Sequence, residues 1–100
     1  METSALVVWI HGVQSCGCHV KKMLIGSRSY QSLPWVKWLF PESEVSAMTI
    51  LPRQQLKCWF DLPEQPVVEG RSHSGLKVAV DRIHQLLHSA VERGIEAERI

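Results

Sequence analysis

The residues of this sequence best suited to chemistry fall into a few short groupings. His11-Gly12 follows directly on the apolar run ALVVWI at residues 5–10. A glycine at that point lets the chain turn sharply and come close to a ligand. A backbone N–H just past a strand end can face the oxyanion of a tetrahedral intermediate. Alone the pair is a weak signal, because any exit from strand to loop can carry it, and a hydrolase also needs a nucleophile. Cys16, Cys18 and His19 offer three soft ligands within four residues, with Cys58 as a candidate fourth. The spacing is C-x-C with no second pair, so an incidental loop cluster is the simpler reading. His84 and His88 stand four apart and could converge on a metal, but HQLLH lacks the glutamate that a zinc protease uses as base. An ordinary pair at the boundary of an apolar face is the simpler reading there, and neither a metal nor another cofactor is expected. Ser15 with His19, and His73 with Ser74, are serine–histidine neighbours, yet neither serine sits at a strand-to-helix elbow, and no G-x-S-x-G occurs in the sequence.

Four tryptophans, Trp9, Trp35, Trp38 and Trp59, are many for this length. Trp35, Trp38 and Leu39, with Lys37, could lie on a membrane surface or line an acyl site; filling a small core is the simpler reading. Arg28, Arg53 and Arg71 lack the interleaved aromatics of a single-strand reader, so nucleic-acid binding is unsupported.

The elements that must position these groups read as follows. Residues 5–10 form a fully buried strand, continuous in apolarity as in a parallel sheet covered on both faces. Residues 13–32 show no clear period. Residues 34–40 (PWVKWLF) read as two turns of helix stopped by Pro41, and 45–51 (VSAMTIL) as a second buried strand ending at Pro52. Residues 52–75 read as loop around a Trp59-Phe60 contact. The clearest element spans 74–93, where Leu76, Val80, Ile83, Leu87, Ala90 and Val91 fall within about 100° of arc. Ser72 or Ser74 can cap that helix, and Gly94 sits where a left-handed C-cap is wanted. Ile95 and Ile100 then bracket a polar turn, as if a further strand were to follow. The order is that of an α/β unit.

Composition agrees with one small globular domain: 45% of the 100 residues are hydrophobic, 21% charged, and the net charge is +1. A net charge so near zero gives no field to recruit nucleic acid or anionic membrane. Residues 3–41 carry Lys21, Lys22, Arg28 and Lys37 and no acid at all, whereas the remainder is balanced towards acid. The longest apolar run is far short of the roughly twenty residues a membrane span needs, and it lacks the flanks of a signal peptide. Cys16 and Cys18 are too close to pair comfortably, so the three cysteines argue against a disulfide framework and for a reducing, cytoplasmic setting.

Taken in order, ALVVWIHG, ILPRQQLKCWFDLP and GLKVAVDRIHQLLHSAVERGIEAERI resemble the acyl-protein thioesterase / phospholipase-carboxylesterase family of α/β-hydrolases. Trp59-Phe60-Asp61 corresponds to the family's WFD, and Gly94-Ile95 with Arg99-Ile100 to its GI-x₃-RI signature. Before residue 50 the match is confined to the strand and His11-Gly12. Val13-Gln14-Ser15 replaces the family's LGD, and residues 13–45 are read as an insertion or a differently joined segment. The resemblance implies a partial α/β-hydrolase sheet of two or three mainly parallel strands, with one long amphipathic helix and a shorter one. It implies a single incomplete domain over 1–100, the N-terminal half of a serine hydrolase of thioesters or carboxylic esters. The Val13 N–H would be one oxyanion donor on a loop supported by His11 and Gly12. Trp59 and Phe60 would neighbour the acyl pocket, and Asp61 would be structural. The family's nucleophile elbow belongs on a strand starting at about Ile100, so none of the triad is expected within these residues. The expected partner is an acyl thioester or ester if the missing half completes the site. The alternative is a non-catalytic shortened or degenerate copy that binds or dimerises through an exposed sheet edge.

Overall fold

The computed structural model describes residues 2–13, 15–61 and 75–100. Strand β1 (Ala5–Val8) leads into helices α1 (Gly17–Ile25) and α2 (Arg28–Ser32), then strand β2 (Val36–Leu39). Strands β3 (Val45–Met48) and β4 (Leu51–Lys57) follow, then helix α3 (Leu76–Glu92) and a 3₁₀ turn at Ala97–Arg99. This is an α/β chain with one long helix and shorter ones.

β1 and β2 pair in parallel, with Ala5 opposite Val36 and Val8 opposite Leu39. A parallel pair needs a crossover, and α1 and α2 supply it. The helix expected over 34–40 is therefore a strand. Short apolar runs do not declare their period, and here the extended form wins by closing backbone bonds to β1: the Ser4 N–H donates to Trp35 O at 3.0 Å and the Trp9 N–H to Leu39 O at 2.9 Å. Trp38 then meets Tyr30 of α2 at 5.6 Å between ring centroids. Leu39 packs with Leu6 and Val8 against Ala90 and Ile95 from the far end of the chain.

Residues 13–32, read as irregular, hold α1 and α2. Their start signals are short: the Cys16 Sγ accepts the His19 N–H and the Ser27 Oγ accepts the Tyr30 N–H, both at 3.1 Å. Cysteine is not among the usual N-cap residues, and α1 buries only Gly17 and Val20 while Met23 stays exposed. A helix that narrow in its buried face leaves little periodic trace. The strand expected over 45–51 is shorter and turns back on itself. β3 and β4 form an antiparallel hairpin with an irregularity at Ala47/Met48, so part of the segment read as loop is strand. Met48, Leu56 and Cys58, with Ile50 beside them, make a second small core. The Asp61 carboxylate accepts the backbone N–H and the hydroxyl of Thr49, which ties the chain after β4 to the hairpin turn.

α3 appears as its periodicity requires. Ser72 and Ser74 lie outside the described residues, and Gly75, at φ 85°, holds the N-cap position with no side-chain cap. That left-handed conformation is one L side chains rarely adopt, which favours glycine there. At the other end Gly94 has φ 103°. The Ile95 N–H donates to Ala90 O at 3.2 Å and the Gly94 N–H to Val91 O at 3.0 Å. That is the paired bonding of a Schellman cap, and it drops Ile95 into the cluster with Leu6 and Ala90. β1 is less covered than a doubly buried strand: Leu6 is buried, but Trp9 and Ile10 beyond its end are 44% and 50% exposed. No tryptophan belongs to the buried core.

Candidate active site

His11 organises the loop after β1. It is buried, and both ring nitrogens are engaged. Nε2 accepts the Ser43 N–H at 3.1 Å, so the ring proton sits on Nδ1, which donates to Gly12 O at 2.8 Å. The Ser15 N–H adds a longer bond to the same carbonyl at 3.3 Å. One residue back, the His11 carbonyl accepts the Trp59 indole N–H at 2.8 Å, and the two rings stand 5.1 Å apart. Arg82 of α3 lies over the Trp59 ring at 5.6 Å. Residues from the start and the middle of the chain thus fix two consecutive carbonyls.

The consequence follows from peptide geometry. In a planar trans peptide the N–H points opposite to the preceding C=O. With the Gly12 carbonyl held towards His11, the Val13 N–H is turned the other way, and among the described residues it has no hydrogen-bond partner. Val13 itself is 44% exposed. A fixed, unengaged N–H after a strand is the component an oxyanion hole requires.

Glu42, between β2 and β3, is the electrostatic centre of the same region. Its carboxylate accepts the Lys57 ammonium at 2.7 Å and the Cys18 N–H at 3.0 Å, and lies 3.8 Å from His11 Nε2. The Lys57 bond, then the backbone N–H of Gly17, hold its carboxyl down to about 2. α1 has no acid of its own in the first turn, and Glu42 takes that place from across the chain. Gly17 permits the fit, since a Cβ there would collide with the Phe40 carbonyl.

Ser43, His11 and Glu42 therefore meet, a serine, histidine and acid that sequence spacing gave no reason to group. They are not a nucleophilic triad. The free lone pair of His11 is occupied by the Ser43 backbone N–H, and Ser43 is itself buried. Ser15 and His19 face no such arrangement either, and His73 and Ser74 lie outside the described residues.

The expectation that Cys16 and Cys18 stay unpaired is overturned: their sulfurs are joined in a disulfide. Cys16 is extended as the N-cap while Cys18 is already helical, and this change of direction sets their Cα atoms 5.3 Å apart, within the ordinary range. Cys58 does not join them. It is buried in the hairpin, where its sulfur meets Ser46 Oγ at 3.1 Å. The donor atoms of Cys16, Cys18 and Glu42 lie within 4.8 Å of one another, but the sulfurs are occupied with each other. His84 and His88 line a 390 Å³ groove with Leu87, Val91, Ala97 and Ile100, and no third ligand-bearing side chain joins them among the described residues. A second groove, of 270 Å³, opens beside the His11 loop and is lined almost wholly by apolar groups, including Ile10, Trp59, Phe60 and Val80.

The profile of the phospholipase/carboxylesterase family matches residues 1–100. The chain belongs to that family. Residues 13–45 are thus a regular part of the family's fold, contrary to their reading as an insertion; α1, α2 and β2 are the elements whose sequence signals were weakest. The phospholipase/carboxylesterase relatives include a probable carboxylesterase SOBER1-like protein of Arabidopsis thaliana, 28% identical over 94% of this chain and 36% of its own length. An acyl-protein thioesterase 1 of Yarrowia lipolytica is 26% identical over 97% of this chain and 43% of its own. In three dimensions the chain is similar to Arabidopsis thaliana SOBER1, with a TM-score of 0.77, 23% identity, and coverage of 95% of this chain and 46% of that one. Zea mays acyl-protein thioesterase 2 superposes with a TM-score of 0.70 at 21% identity, over 88% of this chain and 36% of its own. The fold is that of α/β-hydrolases, and the chain spans less than half the length of these relatives.

Proposed function

We propose that these 100 residues supply the oxyanion-binding side of a serine hydrolase acting on thioesters or carboxylic esters. The Val13 N–H is one of the two donors to the tetrahedral oxyanion, positioned by His11 and Gly12. The apolar groove walled by Trp59 and Phe60 receives the acyl chain, a role its shape and lining suit. The observation that carries this reading is the His11-pinned Gly12–Val13 peptide, whose N–H is unengaged among the described residues. Serine attack, proton transfer through a histidine and its orienting acid need residues that are not brought together among the described ones, so no turnover is expected of this segment by itself. No described helix is long and apolar enough to cross a membrane.

The test is a chimera in which residues 1–100 replace the matching segment of a full-length carboxylesterase relative. The chimera is expected to hydrolyse a p-nitrophenyl ester and to be labelled by a fluorophosphonate at the relative's serine. Val13→Pro removes the amide hydrogen, and is expected to lower kcat by about 10²–10³ while Val13→Ala does not. A folded chimera indifferent to Val13→Pro refutes the assignment, as does fluorophosphonate labelling of the 100-residue chain alone.

One observation favours a second reading. Trp9, Ile10, Val78, Val80 and Val91 are each at least 40% exposed, an apolar surface that invites self-association or a partner chain. A sedimentation coefficient independent of concentration counts against it.

A further inference from the structure

We propose that Cys16 and Cys18 form an exchange-active disulfide, a two-electron site for small thiols of the glutathione class, with Cys18 the sulfur attacked and Cys16 the leaving thiolate. The directions differ because the two sulfurs occupy different places on α1. Cys18 is exposed, one residue into the helix, whereas Cys16 is half-buried at the N-cap and its sulfur already accepts the His19 N–H at 3.1 Å. A thiolate left on Cys16 keeps that bond and lies at the positive end of a nine-residue helix. Both features stabilise it as a leaving group. A thiolate left on Cys18 accepts no hydrogen bond among the described residues, whereas Cys16 keeps the His19 N–H.

The steps balance without further reagents. A glutathione thiolate attacks Cys18 Sγ, the Cys16–Cys18 bond breaks, and Cys16 leaves with the electron pair. A second glutathione thiolate attacks the glutathione sulfur of the mixed disulfide, releasing Cys18 as thiolate and glutathione disulfide as the oxidised product. The dithiol is reoxidised by the reverse route. Glu42 tunes the approach: its carboxylate lies within 4.8 Å of both sulfurs and repels an incoming anion. The intervening Gly17 is buried, and the Phe40 carbonyl occupies the space a Cβ would need there. The inference does not depend on the ester-hydrolase reading.

The experiment uses the full 100-residue chain in glutathione buffers of graded ratio, quenched with iodoacetamide and mapped by mass spectrometry. Cys16 and Cys18 are expected to change together as one two-electron couple in the folded chain, with Cys58→Ser behaving identically. Under partial reduction the glutathione adduct is expected on Cys18, and alkylation on Cys16, in a ratio of at least about ten to one. Glu42→Gln is expected to speed the reaction about four-fold, the factor a unit charge exerts across that separation in water. Any of four results overturns the proposal. The thiols could all stay free after equilibration with glutathione disulfide, or the bond could yield only on denaturation. The adduct could sit on Cys16. Or the reduced chain, dialysed against zinc, could retain one equivalent that protects both thiols, which would make the pair a metal site.

Discussion

The two nitrogens of His11 do separate work, and substitution can take them apart. Gln places an amide oxygen near the position of Nε2, so His11→Gln keeps an acceptor for the Ser43 N–H and gives up the donor to Gly12 O. Asn places an amide nitrogen near Nδ1, so His11→Asn does the reverse. The costs differ because the partners differ in exposure. Ser43 is 5% exposed, and stranding its N–H costs about 1–3 kcal/mol. Gly12 is exposed, and its carbonyl keeps the Ser15 N–H, so losing the Nδ1 donor costs about 0.5–1 kcal/mol. Both variants lose the imidazole face against Trp59 alike. His11→Asn is therefore the less stable, by roughly 1 kcal/mol or more, out of the roughly 5–15 kcal/mol typical of whole domains. Urea unfolding followed by tryptophan fluorescence resolves that difference. In the hydrolase chimera the order reverses. His11→Gln releases the Gly12–Val13 peptide and lowers kcat, by less than the 10²–10³ that follows outright removal of an oxyanion donor, while His11→Asn retains most of it. The same order in both assays, or full activity in His11→Gln, refutes the claim that His11 acts by holding that peptide.

Three further substitutions probe the surrounding structure. Gly17→Ala puts a Cβ where the Phe40 carbonyl already stands, and should destabilise by about 1–3 kcal/mol in urea melts despite alanine's better helix propensity. Trp59→Phe removes the N–H given to the His11 carbonyl together with part of the ring that meets His11 and Arg82, an expected loss of at least about 1 kcal/mol measured the same way. Glu42→Gln should show a pH signature: the folded carboxyl titrates at about 2 against an ordinary 4.5, so its contribution is full above pH 4.5 and is lost as pH falls towards 2. The stability gap between wild type and Glu42→Gln should hold steady near neutrality and close over that acid window; a gap constant down to pH 2 would refute the Lys57 and helix-terminus pairing.

What the sequence disclosed follows physical lines. α3 was readable because six apolar residues at helical spacing and a terminal glycine are local signals, and Gly94 took the left-handed conformation its position demanded. The family resemblance was carried by the same second half. β2 was not readable, since Trp35 to Phe40 fits either period and only the bonds to β1 choose between them. α1 hid behind a cysteine cap and a buried face of two residues. At the site, His11-Gly12 was visible as a turn after a strand. What the ring does there was not, because Ser43, Glu42 and Trp59 reach it only once β2 and the hairpin are in place.

The charge asymmetry of the chain acquires a structural meaning from the same contacts. Residues 3–41 contain no acid, although they include a loop, a helix N-terminus and a lysine-bearing helix that would each favour one. The carboxylate that serves them is Glu42, the first acid beyond that stretch. It enters from the end of β2 and is held in place by Lys57 of β4. A local acid at the start of α1 would stabilise the helix by itself. An acid borrowed from β2 stabilises it only when β1, β2 and the hairpin are already assembled. The loop after β1 is therefore held by tertiary contacts. The oxyanion geometry proposed for it is expected to weaken under a perturbation that loosens the hairpin, such as loss of the Thr49–Asp61 clasp.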